Sequence, residues 1–370
     1  MSLYNYLKKL VENRGTDLHL KIGRPPLMRK NGDLLPTSDL PIDKQKMDEL
    51  IMPILSDYQK KKLFEGHELD FSYVVDNLAR FRGNIFYQLG NLGAVFRVNP
   101  LRIKTIDELR LPDVLKDLVF YKQGIILVTG PTGSGKSTTL AALIDHLNRN
   151  AHKHIITIED PIEYVHTDNK CTITYREIGT DTTSFKDALK MALRQDPDVI
   201  LVGEMRDTET IQTAITAAET GHLVFSTLHT NYAKQAISRI CDAFPPEQQH
   251  YIRVRIAMSL VAAISQRLIT KKDESEKAVA MEIMINTPTI KKLIADGKLD
   301  QIDKAVAESS QLYKMQTMNQ HLLELVKDGV ITKEEAIETS SNPNDLKVML
   351  QTRIAASKEM PSKPSWIRDN

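Results

Sequence analysis

Cysteine is nearly missing from this chain of 370 residues: Cys171 and Cys241 are the two present. They exclude a disulfide scaffold and a four-cysteine zinc ribbon, and point to a reducing compartment. A surplus of either charge is missing too. Lys and Arg number 49 against 48 Asp and Glu, a net charge of +1, so no global field draws the chain to nucleic acid or to an anionic bilayer. No basic stretch is interleaved with aromatics, which argues against a strand-tracking nucleic-acid groove. Apolar runs are short. Ile125–Val128 is far below the roughly 20 residues of a membrane span, and the amphipathic start Met1–Lys9 has no signal-peptide core. Membrane association is therefore expected only through a partner. What is present is globular: 41% hydrophobic and 26% charged residues, enough for two or three domains of roughly 150 residues.

Residues 1 to about 100 read as a small α+β unit. Leu3, Leu7, Leu10 and Val11 have helical spacing, and Leu18, Leu20 and Ile22 alternate with polar residues as a half-buried strand does. Asn31-Gly32 is a hairpin signal, since that turn needs positive φ. Ile42–Leu55 and Asp57–Phe64 read as helices. Phe71–Val75, Arg80–Leu89 and Ala94–Val98 read as strands, with Gly90–Gly93 as a turn. Pro100 and Pro112 bracket a linker. From Gly124 the pattern alternates buried strands (Ile125–Thr129, His154–Ile158, Val199–Val202, Leu223–Ser226) with helices, which predicts a parallel α/β sheet covered on both faces. After about residue 285 only short helices are expected, and the tail from Lys358 shows no periodicity.

Gly130-Pro131-Thr132-Gly133-Ser134-Gly135-Lys136-Ser137 fits G-x-x-x-x-G-K-[ST], directly after a strand and opening a helix. Glycines let the backbone wrap phosphates with its N–H groups turned inward, and the helix N-terminus adds partial positive charge. Lys136 is expected on the β- and γ-phosphates and Ser137 on Mg²⁺, with Thr138 closing the nucleotide cradle. Glu204, after the apolar strand Val199–Val202, stands where open α/β sheets bind ligands and is expected to act on Mg²⁺ directly or through water. A second acidic cluster, Glu159-Asp160-Pro161-Ile162-Glu163, follows a strand expected beside the P-loop strand. There Glu163 is the expected general base, with Glu159 and Asp160 nearer the metal. His222 and His229 flank strand Leu223–Leu228. They suit contact with a nucleotide phosphate, relay of a domain movement, or two satisfied structural histidines, and zinc is a poor alternative because no Cys or His lies at ligand spacing from either.

In this order, the P-loop, Thr157–Glu163, Val202–Asp207 and Ala218–His222 through Leu228–Thr230 resemble the secretion-type ATPases of the type II secretion and type IV pilus superfamily. Within it they are most similar to the PilT-like retraction motors. The resemblance runs from Asp17 to about Leu346. It implies an α/β chain with a PAS-like α+β N-terminal domain (1–99), a linker (100–112), a RecA-like P-loop ATPase core (113–285), a C-terminal helical segment (286–355) and a disordered tail (356–370). It further implies a cytoplasmic homo-hexamer that hydrolyses ATP with Mg²⁺ to power pilus retraction. Such a ring is recruited to the inner-membrane face at the pilus base by a platform protein and works beside a second retraction ATPase. In this family ATP binds between the two domains, and Arg80, Arg82 and Arg97 match the N-terminal arginines that complete the site. The histidine pair enters the catalytic set by the same resemblance. Thr289–Lys298 keeps the Ile, Leu-Ile and Gly-Lys positions of the retraction-motor helix motif and departs elsewhere.

Rival readings are an accessory PilU-like retraction ATPase, an assembly or secretion ATPase, a DNA-translocating ATPase, and a nucleotide-gated module without turnover. Assembly and secretion ATPases resemble longer chains with a tetracysteine zinc site, which two cysteines cannot build. Lys136, Glu163 and Glu204 argue against the module without turnover.

Overall fold

A computed structural model describes residues 1–30, 32–37, 39–99, 102–273 and 277–358, with the side chains of the last helix described as far as 352. The chain divides into two compact units. The first holds Met1–Ile103 with Glu159–Thr167 and Glu177–Asp181, and the second holds Lys104–Ile158, Asp168–Arg176 and the chain from Thr182.

In the first unit α1 (Leu3–Glu12) starts where Ser2 caps the Asn5 N–H. Strands β1 (Asp17–Lys21), β2 (Leu27–Lys30) and β3 (Asp33–Pro36) follow, then α2 (Lys44–Ile51), α3 (Asp57–Gly66), β4 (Glu68–Val75), β5 (Ala79–Gln88) and β6 (Asn91–Asn99). The sheet runs β3-β2-β1-β6-β5-β4 with antiparallel neighbours. Period-two alternation turns Ala79, Phe81 and Ile85 of β5 inward and Arg80, Arg82 and Asn84 outward. Phe81 and Phe96 meet Leu7, Leu10, Leu18 and Met47 in one core. The helix expected over Ile42–Leu55 stops at Ile51, and a 3₁₀ turn carries Pro53, which lacks the N–H that α-helix needs. The turn expected over Gly90–Gly93 is shorter. Leu89 and Gly90, with φ of 49° and 72°, join Gln88 to Asn91, as a tight hairpin of right-twisted strands requires. Lys30 lies opposite Asp33 across the other hairpin; Asn31 is outside the described residues.

The second unit opens with residues read as linker. Ile106 and Leu111 are buried in its core, ahead of α4 (Val114–Leu118), β7 (Gly124–Thr129) and α5 (Lys136–Asn150). Then come β8 (His154–Glu159), β9 (Thr172–Glu177), α6 (Phe185–Ala192), β10 (Val199–Val202), α7 (Thr208–Glu219), β11 (Leu223–Leu228), α8 (Ala233–Asp242), α9 (Pro246–Ser259), β12 (Leu260–Thr270) and β13 (Lys277–Ile285). The sheet order is β13-β12-β7-β11-β10-β8-β9. Strands β12, β7, β11, β10 and β8 are parallel, and β13 returns antiparallel to β12. This corrects one expectation: β8 is not beside the P-loop strand β7, since β11 and β10 stand between them. Strands β9, β12 and β13 carry no clear turn signals, and β12 leaves α9 without a break.

The C-terminal helices are α10 (Pro288–Ala295), α11 (Ile302–Glu308), α12 (Ser310–Tyr313), α13 (Met318–Lys327), α14 (Lys333–Thr339) and α15 (Pro343–Lys358). The disordered tail was expected from 356; α15 continues to Lys358, and the remainder lies outside the described residues. Met318, Leu322, Ala336, Leu346 and Leu350 gather against Ile269 and Ala280. The segment before α13 also shields edge strand β13. Gln316 and Ile283 exchange two backbone hydrogen bonds, the Gln316 side chain donates to the Met281 carbonyl, and the Met281 N–H donates to His321 Nδ1 at 2.9 Å.

His321 is buried, and desolvation pushes its imidazole down to about 4, while the Met281 N–H needs Nδ1 unprotonated. In the unfolded chain the ring takes up a proton near 6.5. Its contribution is therefore complete above that pH and is lost as pH falls toward 4, at most roughly 3 kcal/mol. The melting temperature should drop across this window, and His321→Asn, which keeps an acceptor for Met281, should flatten that part of the drop. An unchanged acid slope in the variant would contradict this role.

Candidate functional site

Strands β7, β11 and β10 are buried at every position. Being parallel, they deliver their polar residues at one end. Thr129 pairs with Leu228, and the P-loop and His229 leave together from the next residues. On the other side of β11, Thr227 Oγ1 donates to the Gly203 carbonyl at 2.6 Å, and the Met205 N–H reaches the Thr227 carbonyl at 3.5 Å. Glu204 is thereby held two residues beyond the end of β10.

The P-loop requires its glycines. Gly130 has φ of 149°, and a Cβ there would lie 2.4 Å from the Gln266 carbonyl and 2.5 Å from Ser134 Oγ. Gly135, with φ of 88°, is the N-cap of α5, a left-handed position that a Cβ disfavours. Pro131, Thr132 and Gly133 are exposed, Ser134 and Lys136 are buried, and Ser137 and Thr138 are half-buried on the first turn of α5. Lys136 Nζ donates to the carbonyls of Gly130 and Pro131 at 3.0 and 3.1 Å. The ammonium thus sits inside the ring of the loop.

His229 joins this loop to Glu204. Its Nε2 lies 3.2 Å from Glu204 Oε2 and its Nδ1 3.5 Å from Thr132 Oγ1. The carboxylate can only accept, so Nε2 carries the proton and Nδ1 accepts from the threonine. Partial burial, then the Lys136 and Arg206 cations, hold the ring below the ordinary histidine range, which favours this neutral tautomer. Glu204 is also ion-paired with the exposed Arg206. His222 stands elsewhere. Its carbonyl accepts from the Gly124 N–H at the start of β7 and its Nδ1 engages the Ala217 carbonyl at 2.9 Å. That places it a strand length, roughly 20 Å, from His229.

The remaining candidates lie in the first unit. Glu159 and Asp160 lead into the turn that carries a half-buried Glu163. That turn is organised by Glu177, a residue the sequence pattern did not single out. Its Oε2 accepts from Arg80 Nη2 at 2.9 Å, Ser72 Oγ at 2.8 Å and the Ile162 N–H at 3.2 Å. Arg80 is thus committed to a mostly buried pair. Arg82 and Arg97 differ: they face each other in register on β5 and β6 and are more exposed. Arg97 donates to Asp17 Oδ1 at 2.7 Å, and Arg82 lies 3.8 Å from Asp70.

Strand β12 supplies further residues that were missed. Ser265 Oγ and Thr129 Oγ1 share a buried hydrogen bond of 2.8 Å, and Gln266 Nε2 donates to the Ser134 carbonyl at 2.7 Å. Three consecutive polar residues, Ser265-Gln266-Arg267, in an otherwise apolar run were the available signal.

These features define the chain as a P-loop ATPase. The Type II/IV secretion system protein family matches residues 100–360. The chain is 46% identical over 345 residues to the type IV pilus retraction ATPase PilT of Pseudomonas aeruginosa, covering 93% of this chain and 100% of that protein. It is 38% identical over 351 residues to the type IV pilus ATPase PilU of the same organism, covering 95% and 92%. The crystal structure of the pilus retraction motor PilT with bound ADP superposes with a TM-score of 0.87 at 45% identity, covering 94% of this chain and all of that one. The chain belongs to the Type II/IV secretion system protein family. Among the described residues no helix is long and apolar enough to cross a membrane.

The brace by Gln266 is open to a direct check. Gln266→Leu keeps the volume but orphans the Ser134 carbonyl, a cost of about 1–3 kcal/mol. Calorimetric titration should give a roughly 5- to 100-fold weaker ADP affinity with the fold intact. Wild-type affinity would mean the P-loop does not depend on β12.

Proposed function

We propose that this chain is a motor ATPase that turns ATP hydrolysis into type IV pilus retraction. It works as a cytoplasmic homo-hexamer at the inner-membrane face of the pilus base, on a platform protein and beside a second retraction ATPase. The observation that carries the reading is the hydrogen-bonded chain from Thr132 through His229 to Glu204, on a polypeptide similar to PilT along nearly its whole length. We read the first unit as PAS-like and the second as RecA-like. The position of β11 between the P-loop strand and the strand of Glu204 supports the latter.

ATP arrives with Mg²⁺ as part of the substrate. The N–H groups of Gly130–Ser137 and the first turn of α5, including Thr138, face its phosphates, and Lys136 exchanges its two loop carbonyls for β- and γ-phosphate oxygens. Ser137 is the direct protein donor to the ion and Glu204 acts through water. Such an ion is held by few protein groups and by phosphate, not by a protein cage. His229 reads the terminal phosphate by exchanging its bonds to Thr132 and Glu204 for one to that group. Glu163 is the general base, oriented by the turn that Glu177 and Arg80 hold. Arg82 and Arg97 are the arginines we assign to the transferring phosphate. An arginine in that role gives roughly 10³–10⁵ in rate.

Deletion of the gene should leave hyperpiliated cells that do not twitch, and a Lys136→Ala copy should fail to restore twitching. Bald cells would instead indicate an assembly motor, and piliated, partly motile cells an accessory one. Either result contradicts the primary retraction role.

A further inference from the structure

The loop that carries His229 is four residues long, from the end of β11 at Leu228 to the start of α8 at Ala233. At its exit Tyr232 is the N-cap of α8 and makes no side-chain cap bond, while Gln235 Oε1 accepts the Asn231 N–H at 3.3 Å. Distant strands restrain the loop as well. Arg267 of β12 donates from Nη2 to the Tyr232 hydroxyl at 3.0 Å and lies 5.4 Å from the centre of the same ring. Its Nη1 donates to the carbonyl of Thr339, the last residue of α14, at 2.8 Å. The buried Glu282 of β13 lies close to the Ala233 N–H at the start of α8. Arg267 also follows Gln266 directly, so two neighbouring residues of one strand brace the P-loop and the His229 loop.

We propose that Arg267 is a positioning residue for His229, tying the loop that reads the terminal phosphate to the C-terminal end of α14. This rests on the reading of His229 given above. The Arg267 contact acts on the Tyr232 side chain, three residues along the chain from His229. An arginine is suited to the task, because its planar fork can hold a phenol oxygen and a helix-end carbonyl at once, and the carbonyl end of a helix favours a cation. Loss of Arg267 leaves the cradle for the α- and β-phosphates intact but lets the His229 loop shift. The consequence is specific: the protein should lose its preference for a triphosphate over a diphosphate and keep its affinity for ADP.

The test uses the full chain in wild-type form and as Arg267→Gln, Tyr232→Phe, His229→Ala and the doubles of each of the first two with His229→Ala. Equilibrium affinities are measured for ADP and for a non-hydrolysable ATP analogue, both with Mg²⁺, beside a thermal melt of each protein. Arg267→Gln and Tyr232→Phe should each reduce the triphosphate preference by about 3- to 30-fold with ADP affinity within about twofold of wild type. In the His229→Ala background they should change the preference no further, as residues acting through one group do. An unchanged preference overturns the proposal. So does an equal loss of ADP and analogue affinity, or a further loss of the full factor in the His229→Ala background. Should Arg267→Gln fail to fold, Tyr232→Phe decides the matter in the same assay. Full triphosphate preference in His229→Ala alone would overturn the reading of His229 itself, a failure distinct from that of Arg267.

Discussion

The parallel, fully buried pairing of β7, β11 and β10 is the constraint on which the site depends. The polar side chains these strands do carry, Thr129, Ser226 and Thr227, lie toward their C-terminal ends and are hydrogen-bonded to neighbouring strands or the residues just beyond them, because an unpaired polar side chain in such a core is costly. All chemistry is displaced to the strand ends, and parallel pairing puts those ends on one edge. The P-loop follows Thr129, His229 follows Leu228 and Glu204 stands two residues past Val202. Their hydrogen-bonded chain is a consequence of sheet order: β11 lies between the other two strands, so the residue it delivers can touch both.

The second level of organisation comes from the antiparallel pair β12 and β13. Ser265, Gln266 and Arg267 reach the last residue of β7, the P-loop and the exit of the His229 loop in turn. The C-terminal helices cover the free edge of β13 through Gln316 and His321 and reach Arg267 through Thr339. A nucleotide-dependent shift of the His229 loop therefore has a physical route into the helical segment, through named hydrogen bonds.

The parts of the site that a short peptide encodes were readable in the sequence. The P-loop is one, since its glycines, lysine and serine are contiguous and each answers a local geometric need. Glu204 is another, because an apolar run ending in a carboxylate marks a buried strand and its tip. Residues whose meaning depends on a remote partner were not readable. Glu177 organises the Glu163 turn only because Arg80 and Ser72, about a hundred positions earlier, reach it. Gln266 supports the P-loop from 132 positions away. The same cause explains the misplaced neighbour of β7. Strand order is set by crossovers, which local periodicity does not encode, so β8 looked adjacent when two strands intervene. The two histidines of one motif also part company, since a strand separates its ends however close its flanking residues are in the motif.

The central claim is that Lys136, His229 and Glu204 form one reader of the terminal phosphate. The most direct measurement is a structure of the full protein with Mg²⁺ and a non-hydrolysable ATP analogue, compared with its ADP complex. The account predicts that Lys136 Nζ leaves the carbonyls of Gly130 and Pro131 for phosphate oxygens. It also predicts that His229 comes within hydrogen-bond distance of the γ-phosphate in the first complex and returns to Thr132 and Glu204 in the second. A His229 that keeps the same partners in both complexes, with the γ-phosphate out of its reach, would contradict it.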